Sequence, residues 1–233
     1  MRFQDAVRDA RAVVYAGIQS DPLVAEAARA LADATWPQRV LARAVMNGET
    51  AAPEAWRSMF PSLFDRAEAA GGEAELADSS ESILSTSLAV AARGDEARSQ
   101  FRGAIVEALT VELLRRRVPA NSIRKERRVL FDRVAAEIHP YDVTVEAGER
   151  AEVYDCKWGA RGINAEVLLQ LASARQHAAD EDARLTAALV VFDARLSCQV
   201  RLARLTVPPG VNLITIETLD ALAGRRPAPT RNA

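Results

Sequence analysis

Residues 139–158 read His139-Pro140-Tyr141-Asp142-Val143-Thr144-Val145-Glu146-Ala147-Gly148-Glu149-Arg150-Ala151-Glu152-Val153-Tyr154-Asp155-Cys156-Lys157-Trp158. β-branched and aromatic residues alternate with polar ones on both sides of Ala147-Gly148-Glu149-Arg150. That pattern predicts two strands, over 138–146 and 151–158, joined by a hairpin turn. Alternate residues of a strand share a face. Val153, Asp155 and Lys157 therefore point one way, and Tyr154, Cys156 and Trp158 the other, toward a packed core. The hairpin brings Asp142 beside Asp155.

Working outward, residues 97–117 carry an apolar stripe of Phe101, Ile105, Ala108, Leu109 and Leu113 at helical spacing, and Val118-Pro119-Ala120-Asn121 ends that helix. A further strand is expected over 126–133. Downstream the pattern predicts a helix over 163–180, a buried strand over 186–193 and a helix over 195–205. A second buried strand at 211–216 and a short helix at 217–223 follow, and the tail from Gly224 is expected to fray. The fold class expected is α/β (α+β), a mixed central sheet flanked by helices.

Upstream of residue 96 the chain reads as helical. Phe3, Ala6, Val7, Ala10, Val13 and Val14 suggest an amphipathic helix over 3–17. Ser20-Asp21-Pro22 starts another, and residues 69–82 read as a small, polar linker before a helix at 80–93. Two regions are expected, a helical one over 1–95 for docking or regulation and a sheet domain over 96–233.

Two carboxylates and an ammonium on one patch of sheet suit phosphodiester hydrolysis. Mg²⁺ takes one or two carboxylates and keeps several waters, a bound cation lowers the pKa of its water, and a nearby Lys stabilises developing phosphate charge. Of the 30 basic residues only Lys125 and Lys157 are Lys, so Lys157 stands out where a compact ammonium is useful.

The arrangement resembles the PD-(D/E)xK nuclease superfamily, which includes restriction endonucleases and archaeal Holliday-junction resolvases. The resemblance covers roughly residues 97–223. Asp142 matches the first motif acid and Asp155-Cys156-Lys157 the (D/E)xK tripeptide. Gly103 and Glu107 match the Gly and Glu of the preceding helix, and Gln170 a polar residue of the following one. The Pro stands two residues before Asp142 instead of directly before it, and Ala174 takes the place of a Tyr found in some exonuclease-like members. The resemblance implies a restriction endonuclease-like fold and catalytic residues Glu107, Asp142, Asp155, Lys157 and Gln170. It also implies Mg²⁺ (or Mn²⁺) held by Asp142, Asp155, Glu107 and the main-chain carbonyl of Cys156. Homodimers that cut two strands, or a defence or repair assembly joined through the N-terminal helices, belong to the same implication.

Each of these residues also has a plainer reading. Asp155 and Lys157 can be a solvated pair, Glu107 and Gln170 surface residues, His139 structural, and Cys156 and Trp158 core. Arg115, Arg116, Arg117, Arg124, Lys125, Arg127 and Arg128 form a basic cluster that suits phosphate contact or a solvated helix end.

Composition bounds the alternatives. Apolar residues make up 49% and aromatics 5%, so the core is built mainly of Ala, Leu and Val. No apolar run approaches the ~20 residues of a membrane span, and no secretory signal is evident, so a cytoplasmic protein with no membrane partner is expected. Cys156 and Cys198 are expected to be reduced. Residues 1–95 hold 9 Arg against 14 acids, −5, and residues 96–233 hold 21 Lys or Arg against 18 acids, +3. That split suits a polyanion partner for the second half; DNA ahead of RNA as that partner belongs to what the nuclease resemblance implies. The rival function is a non-catalytic nucleic-acid-binding or assembly subunit with the same fold.

Overall fold

The computed structural model describes residues 1–6, 10–48, 52–65, 72–132, 139–147 and 150–225. Residues 7–9, 69–71, 133, 138, Gly148-Glu149 of the expected turn and the tail beyond Arg225 lie outside them. The described chain is mixed α/β. Strands β1 (Arg2–Asp5), β2 (Ile123–Leu130), β3 (Tyr141–Ala147), β4 (Arg150–Lys157), β5 (Arg184–Val191) and β6 (Asn212–Ile214) form one sheet in chain order. β1 to β4 pair antiparallel, whereas β5 runs parallel to β4 and β6 parallel to β5. Helices α1 (Ala10–Gln19), α2 (Pro22–Asp33), α3 (Trp36–Asn47), α4 (Pro53–Met59) and α5 (Gly72–Ala91) come before β2, as does α6 (Asp95–Leu114). Helices α7 (Ala165–Asp180) and α8 (Arg195–Leu202) link the parallel strands.

The chain divides into two compact units. Ala10–Leu109 is helical, and Met1–Asp9 with Thr110–Ala233 contains the sheet. The division falls inside α6, whereas the sequence boundary was drawn at 95/96.

In the sheet unit, α7 covers one face. Its Leu168, Leu171, Ala174 and Ala178 recur at helical spacing and pack on Ala151 and Val153 of β4 and on Leu185, Ala187, Leu189 and Val191 of β5. Full burial of each Leu or Val contributes roughly 1.5–3 kcal/mol. The helix begins where Asn164 accepts the Val167 N–H at 2.9 Å. On the opposite face the Cys156 thiol is buried, 3.5 Å from the Thr110 hydroxyl of α6. β3, β4, α7 and β5 lie where the sequence places them, whereas the strand expected over 126–133 runs earlier, as Ile123–Leu130.

Six further expectations are corrected. The helix expected over 3–17 begins only at Ala10, because Arg2–Asp5 pairs with Arg127–Leu130 as strand β1. The expected linker is helical from Gly72, and the hydroxyls of Ser79 and Ser80 bond back to the Leu76 carbonyl and accept from the Gln38 amide. The last strand shortens to Asn212–Ile214, and the helix after it is a 3₁₀ turn at Leu219–Ala223. The expected helix over 97–117 stops at Leu114, and that over 195–205 at Leu202.

In the helical unit, Leu41 and Val45 of α3, Trp56 of α4 and Leu84 of α5 share a core with Leu63. Asp21 accepts the Leu23 N–H at 2.8 Å to cap α2, with Pro22 at its first position. No described helix is long and apolar enough to cross a membrane.

Candidate active site

The β3–β4 register pairs Thr144 with Val153 and Val143 with Tyr154. One residue further along the same register, Asp142 stands opposite Asp155. Val153 lies under α7, and Asp155 and Lys157 follow it on the same face. The Asp142 Oδ2 accepts the backbone N–H of Cys156 at 2.6 Å, which fixes this carboxylate to the middle of the tripeptide. Asp155 is 8% exposed, and its Oδ1 lies 2.5 Å from the Lys157 Nζ. Burial pulls the Lys157 ammonium down, but the Asp155 and Asp142 carboxylates outweigh it and hold its pKa above the ordinary lysine value. Lys157 is thus a cation in the neutral range, shared between two acids on neighbouring strands.

The loop after β4 sets the lysine stem. A Cβ on Gly162 would lie 3.0 Å from the Lys157 Cβ and 3.1 Å from its Cγ and Cδ. A side chain there, in the 3₁₀ turn Ala160–Gly162, would press on the lysine stem and move it by a few tenths of an ångström. Buried Asp193, just past β5, holds the turn by accepting the Ala160 N–H at 2.9 Å, and it accepts the Ala194 N–H at 2.7 Å. Sequence reading missed Gly162 and Asp193; the Asp ending the apolar run TAALVVFD was the available signal. It also missed Glu126, whose φ of 53° sets a non-glycine residue in the left-handed region between the paired positions Lys125↔Val143 and Arg127↔Tyr141. Such a conformation costs about 1–3 kcal/mol.

The other expected site residues have hydrogen-bond partners of their own. Gln170 donates its amide to the His139 carbonyl at 2.9 Å, tying α7 to the approach of β3. His139 is exposed, with Nε2 3.0 Å from Glu166 Oε1. Glu107 belongs to the helical unit and is 4% exposed. It accepts the Tyr15 hydroxyl at 2.6 Å and the Gln19 amide at 2.7 Å. Gly103, one turn earlier, leaves room for that hydroxyl, since a Cβ there would come within 3.0 Å of it.

Among the described residues no group of three or more His, Cys, Asp or Glu side chains stands together to hold a metal ion. Asp142 and Asp155 make a two-carboxylate set, a number that suits Mg²⁺, with the Asp155 Oδ1 also in ion contact with the Lys157 ammonium.

The basic cluster is partly neutralised. Arg115 pairs with Glu112 at 2.7 Å, and Arg127 pairs with Glu146 at 2.8 Å and with Asp5. Arg117 grips Glu152, donates to the Tyr154 hydroxyl at 2.9 Å and reaches the Leu222 carbonyl at 2.7 Å. Arg124 and Lys125 are exposed on β2 and, as neighbours on a strand, alternate in face. Neither cysteine is in a disulfide, and both are buried.

No family model matches the chain, and no curated protein matches it. Among solved structures, protein VC1899 from Vibrio cholerae aligns with a TM-score of 0.40 and 17% identity. The match covers 96% of this chain, which spans 57% of that one. Similarity at that level carries no functional argument.

Proposed function

We propose that the chain is a metal-dependent nuclease that hydrolyses phosphodiester bonds, with DNA ahead of RNA as substrate. The reading rests on one observation: Asp142 bonded to the Cys156 N–H, with Lys157 2.5 Å from Asp155 on the neighbouring strand. The order α6, antiparallel β2–β3–β4, α7, then β5 parallel to β4 supports a restriction endonuclease-like core.

Asp142, Asp155 and the Cys156 carbonyl would hold Mg²⁺ or Mn²⁺, which when bound supplies Lewis acidity and an acidified water. Asp142 and Asp155 set the negative charge of the site. The Lys157 ammonium is fixed by Asp155 and the Gly162 turn, and there it offsets negative charge that builds on the phosphate oxygens. Its role in this reading is to orient the attacking water and stabilise charge on the phosphate.

The test is a nuclease assay on duplex and single-stranded DNA and on RNA with Mg²⁺ or Mn²⁺. It compares wild type with Lys157→Ala and Asp155→Asn, with folding checked by circular dichroism. Cutting by wild type that both variants lose supports the enzyme. Failure of folded wild type to cut any of these substrates sinks it. A second reading, a non-catalytic nucleic-acid-binding or assembly subunit, draws support from the lack of a third acid beside the pair among the described residues. Retained nucleic-acid binding without cutting would favour it.

A further inference from the structure

Just past β5, Asp193 divides its carboxylate between two parts of the chain. The residue is 4% exposed. Its Oδ1 accepts the Ala194 N–H at 2.7 Å, where α8 begins. A helix start is served by one such oxygen. The Oδ2 instead reaches 33 positions back and accepts the Ala160 N–H at 2.9 Å, in the turn after β4. The backbone of Asp193 is tied as well. Its N–H donates to the Val191 carbonyl at 2.8 Å, and its carbonyl accepts the Ile216 N–H at 3.2 Å. Burial of a carboxylate is tolerated where hydrogen bonds replace its hydration, and bonds to an ionised acceptor are the strong ones.

The bond to Ala160 is passed along the turn to Lys157. The Gly162 N–H donates to the Gly159 carbonyl at 2.9 Å, and the Ile163 N–H to the Ala160 carbonyl at 3.1 Å. Arg201 of α8 holds the far end, its Nε donating to the Ile163 carbonyl at 2.8 Å. Gly162 is thereby fixed where it walls the lysine stem, with room for no Cβ closer than 3.0 Å to the Lys157 Cβ. The Phe192 N–H, one residue before Asp193, donates to the Lys157 carbonyl at 2.8 Å. The lysine backbone and the wall beside its side chain are therefore both referenced to Phe192-Asp193.

We infer that Asp193 is a positioning residue: by anchoring the Ala160–Gly162 turn to the end of β5, it sets the wall that directs the Lys157 ammonium toward Asp155. The anchoring stands on the hydrogen bonds alone, and its consequence for catalysis rests on the hydrolytic reading. Without the Oδ2 bond the turn can move off the lysine stem, the stem gains rotamers, and charge alone holds the ammonium. A misplacement of about 1 Å at a reacting centre can cost roughly a hundredfold in rate. Glu217 separates this role from plain support of α8. It accepts the Arg195 N–H at 2.9 and 3.1 Å and the Thr215 hydroxyl at 2.6 Å. Among the described residues its carboxylate makes no bond to the turn.

The test is NMR of the full chain in EDTA with ¹³C-labelled lysine. The chain has two lysines, Lys125 and Lys157, and the signal that Lys157→Ala removes assigns both. Wild type, Asp193→Ala, Asp193→Asn and Glu217→Ala are compared, with nuclease kinetics alongside. Wild type is expected to show a nuclear Overhauser contact between the Lys157 side chain and the Gly162 Hα. Asp193→Ala should lose that contact and shift the Lys157 Cε signal. Asp193→Asn keeps the size of the side chain and one acceptor oxygen, so it should shift the signal less, and it decides the matter if the alanine variant does not fold. Glu217→Ala should leave contact and signal unchanged. In the nuclease assay Asp193→Ala is expected to lower kcat about tenfold or more, with KM within about twofold. A retained contact in the folded Asp193 variants, an equal disturbance in Glu217→Ala, or an unchanged kcat in an active enzyme overturns the inference. Loss of the contact in a protein whose wild type cuts nothing upholds the anchoring and sinks the hydrolytic reading instead.

Discussion

The Cα of Gly162 lies so close to the stem of Lys157 that an added methyl would come within 3.0 Å of the lysine Cβ. The atoms the methyl would meet all belong to the lysine side chain, which would give way by a few tenths of an ångström. Gly162→Ala is expected to lower kcat/KM by about tenfold to a hundredfold through displacement of the ammonium, with a Tm within a few degrees of wild type. Steady-state kinetics beside a thermal melt checks this, and unchanged kinetics would remove the turn from the positioning of Lys157.

Asp142 has two separable roles. Its Oδ2 satisfies the N–H of Cys156, and its charge faces the proposed cation. Asp142→Ala leaves that N–H without its acceptor, and a loss of about 1–3 kcal/mol in urea unfolding is expected. Asp142→Asn keeps an acceptor and should recover most of that stability. It should not recover Mn²⁺ binding measured by calorimetry. Equal metal binding by wild type and Asp142→Asn would count against a ligand role.

Glu152 gives the sheet unit an acid-sensitive contact. Burial raises its pKa, but hydrogen bonds from Arg117 and Tyr154, with the charge of Arg117, outweigh that and hold it below the ordinary carboxylate value of 4.5. A folded pKa lower than the unfolded one stabilises the protein above the unfolded value, and this is lost as pH falls through the folded value. Denaturation midpoints should therefore fall below pH 4.5 more steeply in wild type than in Glu152→Gln. Parallel curves for the two proteins would refute this.

Glu107 is buried against Tyr15 and Gln19 within the helical unit. Removing one donor to a carboxylate costs about 1.5–3 kcal/mol where solvent cannot replace it. Tyr15→Phe is expected to show a loss toward the lower end of that range in chemical denaturation, because the bond is only partly buried. A change under a few tenths of a kcal/mol would mean that water substitutes for the phenol.

The residues that specify the sheet were legible because their patterns are local. Alternation from Tyr141 to Lys157 defines two strands, and the stretch 163–180 reads as a helix without its buried stripe being assigned. The pairing of Asp142 with the Cys156 region followed from the hairpin. What escaped is non-local. Phe3 looked helical because Ala6 and Ala10 follow at helical steps, yet its backbone pairs with Val129, far along the chain. Residues 72–82 looked like a loop because serines stand there, but Gln38 supplies them with partners. The partners of Glu107, the Arg117–Glu152 pair and the closeness of Gly162 to Lys157 depend on chain crossings that no window of sequence contains.

Strand β1 precedes the helical unit and β2 follows it, so Ala10–Leu109 is an insertion between two adjacent strands of one sheet. The backbone crosses from one unit to the other twice. A single protease nick within the insertion would yield two fragments, the first still hydrogen-bonded to the second through the β1–β2 ladder, and the pair should migrate as one species until denatured.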